Sequence, residues 1–313
     1  MRETEFKKLR NWSGDFFADV FLAFLILAFR CLPPKALIFI SKIVGSLLFC
    51  LFKKYRKRVI GNLSIAFGRE KDLHEIKKLA RKVFFHFTLT PLESIYMAAN
   101  PLERFILKMK MNGKEHLDAA LANGNGAIAL GAHLGSFTLL GTRLAAEGYV
   151  FNTIIKNANF PKLMKRIDTH GRRIGQKLFF PKPAATSIKK SLNCLRRNEI
   201  LYLVADEQQR RGGLPVPFFG QRAYTVPGPA ILSLKTGAPI LPMFVLRGNG
   251  IERTLVIGRP IEIERTSDEK SDIKILTAKF TEVIEEAVRR YPSQWAWLNR
   301  RWKLPPQEPE NRH

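Results

Sequence analysis

His133 stands in the run Gly131-Ala132-His133-Leu134-Gly135-Ser136-Phe137-Thr138-Leu139-Leu140. Histidine is the side chain best suited to take a proton from a hydroxyl near neutral pH. The residues before it, Gly126 to Leu130, are apolar and closed by Gly131, which predicts a buried strand. Those after it, Ser136 to Gly148, carry Leu139, Leu140, Leu144 and Ala145 at helical spacing before a terminal glycine, which predicts a helix. His133 then lies beyond the carboxyl end of a strand, where open α/β sheets bind ligands. A helix N-terminus beside it would disfavour the imidazolium and keep the ring available as a base. The competing reading is a histidine that merely packs in a turn.

The elements that would position this residue alternate. Further strands are predicted over Tyr149–Ile155, Glu199–Ala205, Pro239–Leu246 and Thr254–Ile263, and helices over Pro161–Ile174, Thr186–Arg197, Gly228–Thr236 and Asp272–Tyr291. That order predicts an α/β fold, a layered, mostly parallel or mixed central sheet flanked by helices. Ahead of it, Lys71 to Ala98 reads as a helix broken at Pro91. Its apolar face is predicted to carry Leu73, Ile76, Leu79, Ala80, Val83, Phe84 and Phe87.

The charge narrows the function. Of 313 residues, 52 are Lys or Arg and 27 Asp or Glu, a net charge of +25. Such an excess implies an anionic partner. Phe16–Phe29 and Ala36–Phe52 are apolar and separated by Pro33-Pro34, and the cluster Lys53-Lys54-Tyr55-Arg56-Lys57-Arg58 follows. Neither segment reaches the length of a comfortable span. The first reads as a marginal span or membrane-dipping helix, the second as interfacial or packed. With the basic cluster they suit the anionic cytoplasmic leaflet of a membrane. The chain divides on this reading into a membrane-associated segment 1–58, an α/β domain 59–304 and a disordered tail 305–313. Zinc-finger, basic-heptad and ribonucleoprotein patterns are lacking, so no nucleic-acid partner is expected. Cys31, Cys50 and Cys194 form neither a metal pattern nor an even disulfide set, and read as small apolar residues.

In its ordered series of motifs the chain resembles the bacterial lipid A biosynthesis acyltransferases, the lauroyl and myristoyl transferases within the wider lysophospholipid acyltransferase superfamily. The blocks are Gly61–Phe67, His133–Thr138, Lys156–Pro161 with Arg172–Gly175, Asp206-Glu207-Gln208 with Pro217–Gly220 and Thr225–Gly228, Gly237–Pro242, and Gln294–Lys303. The resemblance implies transfer of an acyl chain from acyl carrier protein or acyl-coenzyme A to a hydroxyl of an anionic glycolipid, a lipid A precursor. It implies neither metal nor organic cofactor. An acylation of another glycolipid or a lysophospholipid is the neighbouring reading.

Under that resemblance His133 is the candidate base. Its other ring nitrogen needs a carboxylate to fix the tautomer and stabilise the imidazolium. Five residues on, where the family carries Asp or Glu, stands Thr138, which cannot supply a charge. Either Asp206, with Glu207 as the alternative, supplies the carboxylate, or the chain is a non-catalytic lipid-binding homologue. Arg172, Arg173, Lys156 and Asn159 are candidates for the substrate's anionic groups. Gly135, Thr138 and Glu207 are candidate substrate contacts. Phe218-Phe219-Gly220 reads as loop-shaping, and Trp295, Trp297 and Trp302 as packing rather than membrane-facing. Asn299, where the family usually carries His, receives no role.

Overall fold

The computed structural model describes residues 27–155, 171–172, 175–179, 183–209 and 211–302. Lys156, Asn159, Arg173, most of the helix expected over Pro161–Ile174, most of the first apolar segment and the tail lie outside the described residues.

The sheet is built from β1 (Lys110–Asn112), β2 (Ala127–Gly131), β3 (Phe151–Ile154), β4 (Gln176–Phe179), β5 (Ile200–Val204), β8 (Ile240–Arg247) and β9 (Arg253–Ile257). These seven strands lie in the order β1-β9-β8-β2-β5-β3-β4. All neighbours run parallel except β8 and β9, which pair antiparallel. A separate antiparallel hairpin pairs β6 (Leu214–Phe218) with β7 (Gln221–Thr225). The sequence reading identified neither the hairpin nor β1 and β4 as strands, and it carried the last strand to Ile263, beyond its end at Ile257.

β2 is flanked by β5 and β8 and is buried throughout. Its side chains alternate between two cores, as strand geometry requires. Ile128 and Leu130 enter one core, with Leu276, Phe280, Ile284 and Val288 of α9 (Glu269–Arg290), Cys194 of α7 (Ala184–Arg196) and Ala230 of α8 (Gly228–Thr236). Ala127 and Ala129 enter the other, with Leu140 and Leu144 of α6 (Leu140–Ala146) and Leu117 of α5 (Lys114–Ala122). Helices thus cover both faces, as a parallel sheet demands.

The N-terminal helices are α1 (Pro34–Leu51), α2 (Lys53–Phe67) and α3 (Leu73–Ala99), with the short α4 (Leu102–Phe105) leading to the sheet. A capping box starts α3: the Asp72 side chain accepts from the Glu75 amide, and Glu75 answers at the Asp72 amide. The helix runs unbroken through Pro91, contrary to the expected stop. An interior proline costs about 3 kcal/mol or more, and buried contacts beyond it, at Glu93, Tyr96 and Ala99, outweigh that cost. Its buried face carries the expected Ile76, Ala80, Val83 and Phe84, with Leu79 half-buried, whereas Leu73 and Phe87 are exposed.

α1 buries Leu37, Ser41, Gly45 and Phe49, a strip at four-residue spacing, and packs on α3. A Cβ on Gly45 would meet the Phe85 backbone at 2.9 Å, so the glycine permits the close crossing. The opposite face leaves Phe39, Ile43, Leu47 and Leu51 exposed. By length and composition α1 could cross a membrane. Position 58 falls inside α2, where Arg58 and Asn62 donate to the carbonyls of Leu298, Trp297 and Asn299. Cys194 is buried, its thiol pushed up to about 12 by burial and then by the Glu199 charge. Cys31 and Cys50 are exposed rather than packed.

Candidate active site

His133 sits two residues beyond β2, and Asp206 two residues beyond the adjacent strand β5. Parallel pairing brings both loops to the same edge of the sheet. The Ala205 amide donates to the Gly131 carbonyl at 3.1 Å and fixes their register. Gly131 is required because a Cβ there would meet the Tyr202 ring at 2.3 Å.

Asp206 is buried and accepts three hydrogen bonds. The His133 ring Nδ1 donates to Oδ1 at 2.9 Å, the His133 amide to Oδ2 at 2.8 Å, and the Trp295 Nε1 to Oδ2 at 2.6 Å. Burial alone would raise this carboxyl's pKa, but the His133 ring and these donors hold it below the ordinary aspartate range. An ionised carboxylate only accepts, so Nδ1 carries a ring proton. Glu207 Oε1 lies 3.9 Å from Nε2. Asp206 is therefore the nearer carboxylate and meets the ring at Nδ1, while Glu207 stands on the Nε2 side. The His133 ring is about a quarter exposed and packs edge-on to Phe137.

The loop after His133 departs from the expected helix. Residues Phe137–Leu139 form a single 3-10 turn, and the α-helix starts only at Leu140. His133 is thus not at an α-helix N-terminus, contrary to expectation. Gly135 explains the delay. It has φ 62°, and a Cβ there would lie 2.1 Å from the Val245 carbonyl oxygen. Its amide is spent on the Gln294 carbonyl, and the Ser136 amide on Val245. Gly135 is therefore buried in the loop's turn. Thr138 Oγ1 accepts from Ser94 Oγ at 2.8 Å, on α3.

The C-terminal segment closes the centre. Trp295 and Trp297 are buried, among Phe218, Phe219 and Phe67, so the tryptophans and the Phe-Phe pair pack as the sequence suggested. Trp295 also supplies the third donor to Asp206, which sequence reasoning missed. Arg301, buried, donates to the Glu207 and Tyr224 carbonyls and to Thr225 Oγ1. Burial lowers its pKa to about 10, against the opposing pull of Asp206. Arg172 is exposed, just ahead of β4.

The fold and this edge define an α/β protein with a histidine–aspartate centre at the carboxyl end of its central parallel strands. The chain belongs to the bacterial lipid A biosynthesis acyltransferase family, which matches residues 2–304. It is 28% identical over 209 residues to a phosphatidylinositol mannoside acyltransferase of Mycobacterium tuberculosis, covering 65% of this chain and 61% of that one. The aligned part thus spans about three fifths of that relative's length. To the lipid A biosynthesis palmitoleoyltransferase of Escherichia coli it is 22% identical over 277 residues, 88% of this chain and 87% of the other. To the lauroyltransferase of the same organism it is 24% identical over 272 residues, 86% of each.

Proposed function

We propose that this protein is a membrane-associated O-acyltransferase that moves a fatty acyl chain from an acyl thioester to a hydroxyl of a lipid A precursor. The observation that carries the proposal is the His133–Asp206 pair: a partly exposed imidazole whose Nδ1 is held by a buried carboxylate, with Nε2 on the side where Glu207 lies. The acceptor hydroxyl gives its proton to His133 Nε2 as its oxygen attacks the thioester carbonyl carbon. The tetrahedral intermediate then expels the thiolate of acyl carrier protein or coenzyme A, the C–S bond breaks, and the imidazolium returns the proton to sulfur. Asp206 holds the tautomer and stabilises the imidazolium between those steps. It supplies the negative charge that Thr138 cannot, which argues against a non-catalytic homologue.

Arg172, Arg173, Lys156 and Asn159 would bind the anionic groups of the acceptor or of the phosphopantetheine arm. Glu207, near Nε2, would meet the acceptor hydroxyl. The exposed apolar face of α1 and the basic start of α2 would rest on the anionic cytoplasmic face of the inner membrane. A phosphatidylinositol mannoside, or another glycolipid, is the second acceptor class, supported by the likeness to the mycobacterial enzyme.

The test is lipid mass spectrometry of a strain lacking the gene, paired with purified protein given acyl carrier protein or coenzyme A thioesters. Loss of one acyl chain from lipid A, restored by the wild-type gene and not by His133→Ala, is the expected result. Unaltered lipids in the deletion strain, with no thioester turnover in vitro, would remove the proposal.

A further inference from the structure

The His133 loop rests on a second ionic assembly that the base-and-carboxylate pair does not use. Glu93, from the last third of α3, is completely buried. Its Oε2 accepts from Ser136 Oγ at 2.8 Å and from Arg247 Nη2 at 2.7 Å. Its Oε1 accepts from Arg253 Nε at 2.6 Å. Arg247 and Arg253 come from the antiparallel strands β8 and β9, where they face each other across the ladder. Both guanidiniums are all but inaccessible. A second strand of contacts runs from Arg247 Nη2 to Thr90 Oγ1 at 2.7 Å, then from the Thr90 carbonyl to Ser94 Oγ at 3.0 Å, and on to Thr138 Oγ1.

Two cations thus share one carboxylate. Arg247 Nη1 is buried and finds no hydrogen-bond partner among the described residues. His86 adds no further positive charge, since burial and then the Arg247 charge lower its pKa to about 3. A buried surplus of positive charge is costly unless the existing anion is held in place. The only side chain of the His133 loop that touches Glu93 is Ser136, and the only one that touches the Ser94 end of the network is Thr138, among the described contacts. An acid at position 138 would bring a second negative charge to the Ser94 end of this network.

We propose that Glu93 is a positioning residue for His133. It fastens the loop to α3 through Ser136 and, among the described residues, carries the charge balance of Arg247 and Arg253 that an acid at 138 would share. Ser136 holds the loop on two sides: its hydroxyl is on Glu93 and its amide on β8. His133, three residues earlier, inherits that placement, and an ångström of drift at a proton-transferring group costs about 10²-fold in rate. The inference rests on His133 being the base.

The experiment compares Ser136→Ala, Glu93→Gln and Glu93→Gln/Thr138→Glu in the full chain. Three readouts are followed: kcat and KM for release of coenzyme A from lauroyl-coenzyme A with extracted lipid acceptor, melting temperature, and the NMR signal of the His133 Nδ1 proton. That signal is assigned by its loss in His133→Asn. Ser136→Ala leaves the ion pairs intact, so it should lower kcat about tenfold at unchanged KM and nearly unchanged melting temperature, and broaden the Nδ1 signal. Glu93→Gln should lower kcat further and also melt earlier. The double variant should regain at least tenfold in kcat over Glu93→Gln. Full kcat and an unaltered Nδ1 signal in Ser136→Ala would overturn the proposal, as would a Glu93→Gln variant that only melts earlier, or a double variant with no recovery. If His133→Asn retains wild-type turnover while Ser136→Ala still perturbs the Nδ1 signal, the base assignment fails and the loop anchor stands.

Discussion

The Trp295 indole and the His133 amide donate to the same oxygen of Asp206, leaving its other oxygen for the imidazole. The carboxylate is thus oriented from two sides before it meets the ring. Trp295→Phe keeps an aromatic ring in the core and removes one donor. A hydrogen bond to a charged group contributes about 1.5–3 kcal/mol. We expect a lower melting temperature and about a tenfold fall in kcat. A variant with wild-type kcat would show that two donors are enough.

His133→Ala should lower kcat by about 10²-fold or more, the scale of general-base catalysis, with KM little altered. Steady-state thioester assays read both constants. Activity within a few-fold of wild type would exclude the proposed role.

Asp206→Asn keeps the size of the side chain and removes its charge, so turnover should fall severely in a folded protein. Thr138→Ala removes only a neutral hydrogen bond, about 0.5–1.5 kcal/mol, and should matter less. The reverse ranking in kcat, with circular dichroism confirming both folds, would reassign the carboxylate.

Glu199 gives a pH-dependent prediction for the sheet. Burial would raise its pKa, but Arg197, Asn152 and Lys177 donate to it and lower it from 4.5 to about 2. A depressed carboxyl pKa contributes stability above the unfolded value and loses it as pH falls through the folded one. Glu199→Gln should therefore melt earlier than wild type at pH 6, and the gap should close between pH 4.5 and about 2. A gap independent of pH would assign the effect to packing.

Phe39, Ile43, Leu47 and Leu51 lie on the exposed face of α1. Replacing Ile43 and Leu47 with Ser should weaken binding to vesicles containing anionic lipid, measured by flotation, without lowering the melting temperature. Equal flotation of variant and wild type would place the membrane contact elsewhere.

The alternation of apolar strands and amphipathic helices made the layered sheet legible, because a parallel sheet buried on both faces leaves that pattern in the chain. Asp206 was legible too, as an acid immediately after a buried strand. The hairpin was not, since prolines at 215 and 217 weaken any strand pattern. Trp295 was read for packing alone, because nothing local signals a partner 89 residues away. Glu93 carried one overlooked signal, an acid among apolar positions on the buried side of α3. Arg247 and Arg253 close apolar strands at the two sides of one turn, where charged residues are usually solvated, so their burial becomes apparent only when α3 is laid across them.

Asp206 is held by a segment that follows every strand of the sheet in the sequence. As the chain is synthesised from its N-terminus, the strands can pair and the His133 loop can form while Asp206 still lacks its indole donor. The centre would then be the last part of the molecule to mature, closed by Trp295 docking and by Asn62 and Arg58 reaching the carbonyls around Leu298. A nascent chain that has reached its hydrophobic helices and its sheet, yet not this closing segment, would be folded in outline and catalytically silent.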